Sequence, residues 1–123
     1  MKKILVIEDN LIVRNTVMRI LQTAGYAVVT ANDGLQGFDM FRKEQPDLVI
    51  SDIIMPQQEG IGTIRQILAE RPGTKIIAIS GGGRIGNTDF LQIARKMGAV
   101  DALQKPFDPD DLLGRINNCL KAA

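Results

Sequence analysis

The chain has 123 residues, a formal net charge of +1 and 45% apolar residues, which is the profile of one globular domain with its own core. No apolar run approaches the roughly 20 residues that a membrane span requires, and the start at Lys2 and Lys3 lacks the long apolar stretch of a signal peptide. Basic residues are spread along the chain, which argues against a nucleic-acid footprint. We therefore expect a cytoplasmic protein that binds neither membranes nor nucleic acids.

The absence of histidine and the single cysteine, Cys119, narrow the chemistry further. Without histidine the chain has no Ser-His or Cys-His catalysis, no zinc site of the usual type and no phosphohistidine of its own. Cys119 cannot form an internal disulfide, and its place on an apolar helical stripe predicts a buried small hydrophobe. A metal bound here would be a hard ion held by oxygen, such as Mg²⁺ or Ca²⁺.

In chain order, the first half of the sequence alternates between strands and helices. The strands are predicted at Lys3–Ile7, Ala27–Ala31 and at residues 48–51. The first helix ends at Gly25. Its apolar stripe is formed by Val13, Val17, Ile20, Leu21 and Ala24, and that of the second helix by Leu35, Phe38 and Phe41. Nearly continuous apolar residues in the strands are typical of strands covered on both faces.

The second half continues the alternation. A third helix is stopped at residues 72–73 (PG), a strand is predicted at residues 75–79, a fourth helix ends at Gly98, and a weak strand is predicted at Asp101–Gln104. The last helix begins with Asp108 as N-cap and Pro109 as its first residue. The apolar stripes of these three helices are Ile61, Ile64, Ile67 and Leu68; Phe90, Ile93, Ala94 and Met97; and Leu112, Ile116, Cys119 and Leu120.

A (βα)₅ series of this length predicts the α/β class, with a doubly wound parallel five-stranded sheet and one domain over residues 1–123. Function in such sheets lies in the loops at the carboxyl ends of the strands. Polar residues collect there: Glu8 and Asp9 follow the first strand, Asp52 the third, Ser80 the fourth and Lys105 the fifth. We therefore expect these five side chains to lie close together.

Three neighbouring carboxylates repel one another, and a divalent cation relieves the repulsion; Mg²⁺ is the natural candidate because it prefers oxygen ligands and shares its shell with phosphate. An amine and a hydroxyl opposite the acids indicate a phosphoryl group. Asp52 is then the nucleophile that forms an acyl phosphate. Mg²⁺ on Asp9, Asp52 and, through water, Glu8 would neutralise one phosphoryl oxygen. Lys105 would pair with a second oxygen and Ser80 would donate to a third.

With these residues in order, the sequence resembles the receiver domain of bacterial two-component response regulators, of the chemotaxis-regulator type, over its whole length. The resemblance is carried by Glu8 and Asp9 after an apolar strand, the segment 46–56 (PDLVISDIIMP), Gly60, Ser80, the segment 98–99 (GA) and the segment 105–107 (KPF). It implies a flavodoxin-like sheet of order 2-1-3-4-5. It also implies a signalling phosphoprotein that catalyses only its own phosphorylation and slow dephosphorylation.

The resemblance assigns roles and partners. Asp52 is the phosphoacceptor, Glu8 and Asp9 are the metal acids, and the backbone carbonyl of Ile54 is a metal ligand. Ser80 is the switch hydroxyl and Lys105 senses the phosphate, in a Lys–Pro bond that is often cis in similar proteins. The phosphoryl group comes from a histidine kinase or histidine phosphotransfer protein. A downstream protein binds the face of the fourth helix, fifth strand and fifth helix.

Two positions depart from the family's pattern. Many relatives have an aromatic residue where this chain has Ala102, which has no rotamer to change. We therefore expect the signal to pass through the backbone of residues 81–83 and the helix after them. Ile54 is bulky and apolar, and it is expected to slow hydrolysis of the acyl phosphate by shaping water access together with Gly82.

Other interpretations of the sequence are weaker. The segment 81–86 (GGGRIG) fits a dinucleotide-binding pattern with Asp101 downstream, but that acid begins a strand rather than ending one, and too little chain follows. A carboxylate-based phosphatase needs an aspartate where Ile54 stands, and a flavin carrier needs a hydroxyl-rich loop in place of Glu8 and Asp9. A receiver cut from a longer regulator with a DNA-binding or enzymatic output domain fits as well as a stand-alone receiver.

Overall fold

The computed structural model describes residues 1–52, 59–80, 92 and 94–121. Five strands and the helices between them follow the predicted order. The strands are β1 (Lys3–Ile7), β2 (Ala27–Ala31), β3 (Leu48–Asp52), β4 (Ile76–Ser80) and β5 (Asp101–Gln104). The helices are α1 (Leu11–Thr23), α2 (Gly34–Glu44), α3 (Glu59–Glu70), the helical residues 92 and 94–96 (α4) and α5 (Pro109–Lys121). Among these residues no helix is long and apolar enough to cross a bilayer.

All five strands are parallel, in the order β2-β1-β3-β4-β5. The fold class and strand order predicted from the sequence are therefore confirmed. In this order β1 and β3 are neighbours, and Ile7 of β1 pairs with Ser51 of β3. The residues after β1 consequently lie beside the end of β3, which is what a site at the carboxyl edge requires.

Helices cover both faces of the sheet, so the core has two halves. In one half the buried residues come from β1, β3, β4 and β5 and from helices α1 and α5, and Val28 of β2 packs against them. These buried residues are Ile4, Val6, Val17, Leu21, Leu48, Ile50, Ile77, Ile79, Leu103, Leu112 and Ile116. The other half involves α2, α3 and α4: Leu5, Ile7, Ala31, Phe41, Val49, Ile64, Ile67, Ile76, Ala78, Ala94, Ala99 and Ala102. Alternate residues of a strand point to opposite faces, which is why Ile4 and Leu5 belong to different halves.

Three predicted strand boundaries, one in the third strand and two in the fourth, were wrong by one residue. The third strand extends through Asp52, because Asp52 pairs with Ile79 of β4. The fourth strand begins at Ile76 and extends through Ser80, because Ser80 pairs with Gln104 of β5. Pairing with a neighbouring strand decides where a strand ends, and the local sequence does not carry that information. Both predicted site residues are thus held by the sheet itself.

The predicted apolar stripe of α2 was partly wrong. Leu35 is 75% exposed, whereas Gly34, Gly37 and Phe41 are buried. The helix lies so close to β1 that a Cβ at Gly37 would stand 2.6 Å from Ile7 Cδ1. Glycine therefore occupies the face that a larger residue was expected to fill, and Leu35 is turned to solvent.

The structure also tests the predicted burial of Cys119, Ala24 and the apolar stripe of α4. Cys119 is half-buried rather than fully buried, and it packs against the core half of α1 and α5. Ala24 is exposed because it caps the end of α1. In α4, Ala94 is buried as expected, whereas Phe90 and Ile93 lie outside the described residues.

Candidate functional site

The carboxyl ends of the strands gather buried polar side chains. Glu8, Asp52 and Ser80 are exposed by 0%, 3% and 1%, although each is polar. Burial of a carboxylate is costly unless partners compensate for the lost water. Three such residues at one edge of the sheet therefore mark this edge as a functional site rather than a solvated rim.

The acids that were predicted to converge do so. Glu8, Asp9 and Asp52 each present a carboxylate oxygen, and these oxygens all lie within 4.8 Å of one another. Glu8 and Asp52 are buried, whereas Asp9 is exposed. The group is therefore open to solvent on the side of Asp9 and closed by the sheet on the side of Asp52.

The turn between β1 and α1 is held by its own hydrogen bonds. Asn10 caps α1, because its Oδ1 accepts from the backbone N–H groups of Ile12 at 2.9 Å and Val13 at 3.1 Å. The backbone N–H of Asn10 donates to Glu8 Oε2 at 3.1 Å. Glu8 N–H in turn donates to Ala31 O of β2 at 3.0 Å. Glu8 and Asp9 therefore lie in a turn that hydrogen bonds fix to both the sheet and the helix.

Lys105 reaches across the site from the end of β5. Its Nζ lies 3.0 Å from Asp52 Oδ2 and 2.5 Å from Glu8 Oε1. Its backbone N–H donates to Ser80 O at 2.6 Å, and the Lys105–Pro106 bond is cis, as the resemblance implied. The ammonium group is thus held against two buried carboxylates, where it offsets part of their charge.

Burial and crowding change the acid–base properties of Glu8 and Lys105. Burial is the largest influence on Glu8 and raises its pKa to about 7; the Lys105 contact and the Asn10 N–H lower the pKa, and Asp9 and Asp52 raise it further. For Lys105, burial lowers the pKa, but Glu8 and Asp52 outweigh burial and raise the pKa above its ordinary value. Lys105 therefore remains a cation.

The donor set fits a hard divalent cation. All three side chains offer carboxylate oxygen, which Mg²⁺ prefers. Glu8 Oε1 is buried and accepts no well-aligned hydrogen bond from the described part of the chain, although the ion pair to Lys105 lies against it. An oxygen in this position can accept from a water on a metal ion, as was expected for Glu8.

Ser80 belongs to the same edge. It is the last residue of β4, it is buried, and its carbonyl accepts from the neighbouring Lys105. Asp101 begins β5 at the opposite edge and pairs with Arg115 at 2.7 Å, which agrees with rejecting it as a nucleotide ligand. Ile54 and the segments 81–83 and 81–86 lie outside the described residues, so their predicted roles stay predictions.

Sequence reasoning missed two residues near the acids. Asn10 was not recognised as the cap of α1, although an asparagine directly before an apolar helical stripe is a common signal for one. Arg14 was not considered at all, yet its Nη1 donates to Glu8 O at 2.9 Å. A long side chain that returns to an earlier turn leaves no pattern in the sequence.

An apolar surface adjoins the site. Leu11 and Ile12, at the start of α1, are 59% and 76% exposed. Beside them a groove of about 340 Å³ runs between α1 and the turn after β5, and it is lined by Ile12, Val13, Thr16, Val17, Lys105, Pro106 and Phe107. Because Lys105 both lines this groove and contacts Asp52, a partner seated there would lie next to the acids.

A second surface lies at the edge strand β5. Arg115 of α5 contacts Asp101 Oδ1 at 2.7 Å and Asp111 Oδ1 at 3.2 Å, and it donates to Ala102 O at 3.3 Å. A groove of about 410 Å³ there includes Arg95 of α4 in its lining. One groove is therefore lined by Arg95 of α4, by the residues of β5 and by Arg115 of α5.

Comparison with known proteins agrees with this architecture. The family model described as "Response regulator receiver domain" matches residues 4–117. The chain is 34% identical to the probable transcriptional regulator ycf27 of Cyanophora paradoxa over 120 residues, which are 98% of this chain and 48% of that protein. It is 32% identical to the chemotaxis protein CheY of Listeria monocytogenes over 122 residues, which are 98% of this chain and 100% of that protein.

A solved structure shows the same fold. The crystal structure of a response regulator receiver domain protein from Clostridium thermocellum superposes with a TM-score of 0.87 at 32% identity, covering 98% of this chain and 94% of that one. The chain thus spans about half the length of the transcriptional regulators that it matches and the whole length of the chemotaxis protein.

Proposed function

This chain belongs to the response regulator receiver domain family, and we propose that it is a phosphorylation-dependent switch whose phosphoacceptor is Asp52. Receiver domains are signalling modules that switch on phosphorylation, bind Mg²⁺ in an acidic pocket and interact with histidine kinases and output partners. The assignment of each role to a residue of this chain is our proposal, and it rests on the geometry at the carboxyl edge of the sheet.

The observation that carries the proposal is the contact of Lys105 Nζ with Asp52 Oδ2 at 3.0 Å beside two further acids. A carboxylate that accepts a phosphoryl group must be held in place, and the group's added negative charge must be neutralised. Asp52 is held because it is the last residue of a central strand. Lys105 provides the compact cation that pairs with a phosphoryl oxygen.

We propose that Glu8, Asp9 and Asp52, with the backbone carbonyl of Ile54, hold Mg²⁺. Mg²⁺, when bound, neutralises negative charge on the transferring phosphoryl group. Glu8 and Asp9 act by position, because the capped turn at Asn10 keeps their carboxylates near Asp52. Ser80, buried at the end of β4, would donate its hydroxyl to a phosphoryl oxygen.

The route from phosphorylation to an altered surface is proposed to avoid Ala102. Its side chain is a single methyl group in the core with Ala94 and Ala99, so it has no second rotamer that could report the state of Ser80. We propose that residues 81–83 carry the change through their backbone. A downstream protein would then bind the surface of α4, β5 and α5.

The phosphoryl donor is proposed to be a histidine kinase or histidine phosphotransfer protein that seats on Leu11 and Ile12. A donor histidine must reach Asp52, so its protein must cover the rim around the acids, and these two exposed apolar residues lie at that rim. Ile12→Asp should therefore slow transfer from the donor protein and leave reaction with acetyl phosphate unchanged. Leu35→Asp, a change at an exposed leucine of α2, is the matched control.

We propose one receiver domain over residues 1–123, which acts either alone or as the receiver of a longer regulator with a DNA-binding or enzymatic output domain. The similarity to transcriptional regulators twice as long supports the second form, and the similarity to a chemotaxis protein of the same length supports the first.

Incubation with acetyl phosphate and Mg²⁺, followed by intact-mass measurement, tests the proposal. The wild-type chain should gain the mass of one phosphoryl group, and chelation of the metal should prevent the gain. Asp52→Asn should gain none, whereas Asp39→Asn, at an exposed aspartate of α2, should behave as wild type. Phosphorylation of Asp52→Asn at the wild-type rate would refute the assignment.

A further inference from the structure

Arg14 lies one turn into α1, and its side chain returns to the residues before the helix. Its Nη1 donates to the backbone carbonyl of Glu8 at 2.9 Å, six residues earlier in the chain. Its backbone N–H donates to Asn10 O at 2.9 Å as part of the helix. The side chain and the main chain of one residue therefore hold both ends of the turn that carries Glu8 and Asp9.

The carbonyl of Glu8 needs such a donor because it lies beyond the sheet ladders. Ile7 is the last residue of β1 paired with either neighbour, opposite Ala31 in β2 and Ser51 in β3. Glu8 itself is fully buried. A buried carbonyl that loses its donor is destabilised, and a hydrogen bond from a charged group is stronger than one from a neutral group.

We propose that Arg14 is a positioning residue for the metal-binding acids, an inference that rests on the proposed function of this site. Arg14 fixes the peptide group that joins Glu8 to Asp9, and this group determines where both side chains begin. Asn10 fixes the Glu8 side chain from the other end, through its N–H to Oε2 at 3.1 Å. Groups that orient metal ligands in this way affect metal affinity without contacting the metal.

Removal of Arg14 distinguishes positioning from simple electrostatics, because the two predict opposite changes in the affinity of the acids for a cation. If Arg14 acted only as a nearby positive charge, its loss would strengthen the attraction of the acids for a cation. If Arg14 positions the acids, its loss loosens the turn and weakens cation binding. Arg14→Met therefore gives a result whose direction is informative.

The experiment is a Mg²⁺ titration of the full chain followed by backbone amide NMR shifts. We expect Arg14→Met to bind Mg²⁺ roughly tenfold more weakly than wild type, and Arg14→Lys, which keeps a charged donor, to fall between them. Arg19→Met removes an exposed arginine of the same helix and should match wild type. Without Mg²⁺, the amide of Asn10 should exchange its hydrogen faster in Arg14→Met, because its acceptor Glu8 is less well held.

Equal or tighter Mg²⁺ binding by Arg14→Met would overturn the inference. If Arg14→Met does not fold under the assay conditions, Arg14→Lys decides: weaker binding than wild type supports positioning, and equal binding contradicts it. A wild-type chain that neither binds Mg²⁺ nor gains a phosphoryl group would contradict the proposed function. A wild-type chain that does both, alongside an Arg14→Met variant of equal affinity, would contradict only the role of Arg14.

Discussion

Replacement of Lys105 by methionine tests whether this lysine competes with a divalent cation for the same carboxylates. Lys105 Nζ lies 2.5 Å from Glu8 Oε1 and 3.0 Å from Asp52 Oδ2. A cation that takes either oxygen must weaken the contact of that oxygen with Nζ. Methionine keeps an unbranched, flexible side chain without the charge. We therefore expect Lys105→Met to bind Mg²⁺ more tightly than the wild-type chain.

The expected change in Mg²⁺ affinity follows from the burial of the three charged side chains. The side chains of Lys105, Glu8 and Asp52 are 16%, 0% and 4% exposed, so solvent screens these contacts far less than it screens a surface ion pair. A hydrogen bond to a charged group contributes about 1.5–3 kcal/mol. If Mg²⁺ binding gives up one such contact, prior removal of Lys105 lowers the dissociation constant by about 10- to 100-fold, since 1.4 kcal/mol corresponds to tenfold.

The assay is a Mg²⁺ titration followed by amide NMR shifts, with Lys96→Met as the control at an exposed lysine of α4. The same Lys105→Met variant should react more slowly with acetyl phosphate at saturating Mg²⁺, because no amine remains to pair with the phosphoryl group. Tighter metal binding together with slower phosphorylation is the expected combination. A dissociation constant equal to or higher than that of wild type would show that Lys105 and the cation do not compete.

Three further predictions concern the rest of the fold. Gly98→Ala should lower the free energy of unfolding, measured in urea, by about 1–3 kcal/mol, because φ is +104° there. The loss should exceed that of Gly25→Ala, because the new Cβ would also meet Leu68 Cδ1 at Gly98, whereas it would meet nothing within 4 Å at Gly25. Gln45→Gly should raise that free energy by about 0.5–1 kcal/mol, because Gln45 ends α2 at a φ of +52°. Cys119 should be alkylated slowly in the native chain and faster as pH rises, because only the thiolate reacts. Burial chiefly, and Asp101 in addition, raise the pKa of the Cys119 thiol. Alkylation of the native chain as fast as that of the urea-unfolded chain at pH 8 would contradict this prediction.

The class of fold and the convergence of Glu8, Asp9 and Asp52 with Lys105 were accessible from sequence, because both depend on local patterns. Short apolar runs alternating with helical stripes define a parallel α/β sheet, and parallel strands bring their carboxyl ends to one edge. The sequence alone therefore groups Glu8, Asp9, Asp52, Ser80 and Lys105 at this edge. The chemistry of their side chains then indicated a metal and a phosphoryl group.

Other properties depend on distances between residues far apart in the chain, and only the tertiary structure decided them. The close packing of α2 on β1 placed glycine on the buried face and turned Leu35 to solvent. The pairing of Lys105 with Glu8 as well as Asp52, and the reach of Arg14 back to Glu8 O, follow from how α1 and the turn after β5 close on the sheet. Sequence periodicity states which face of an element is apolar, but a contact between two polar side chains is set by the packing of whole elements, whose separations no local pattern encodes.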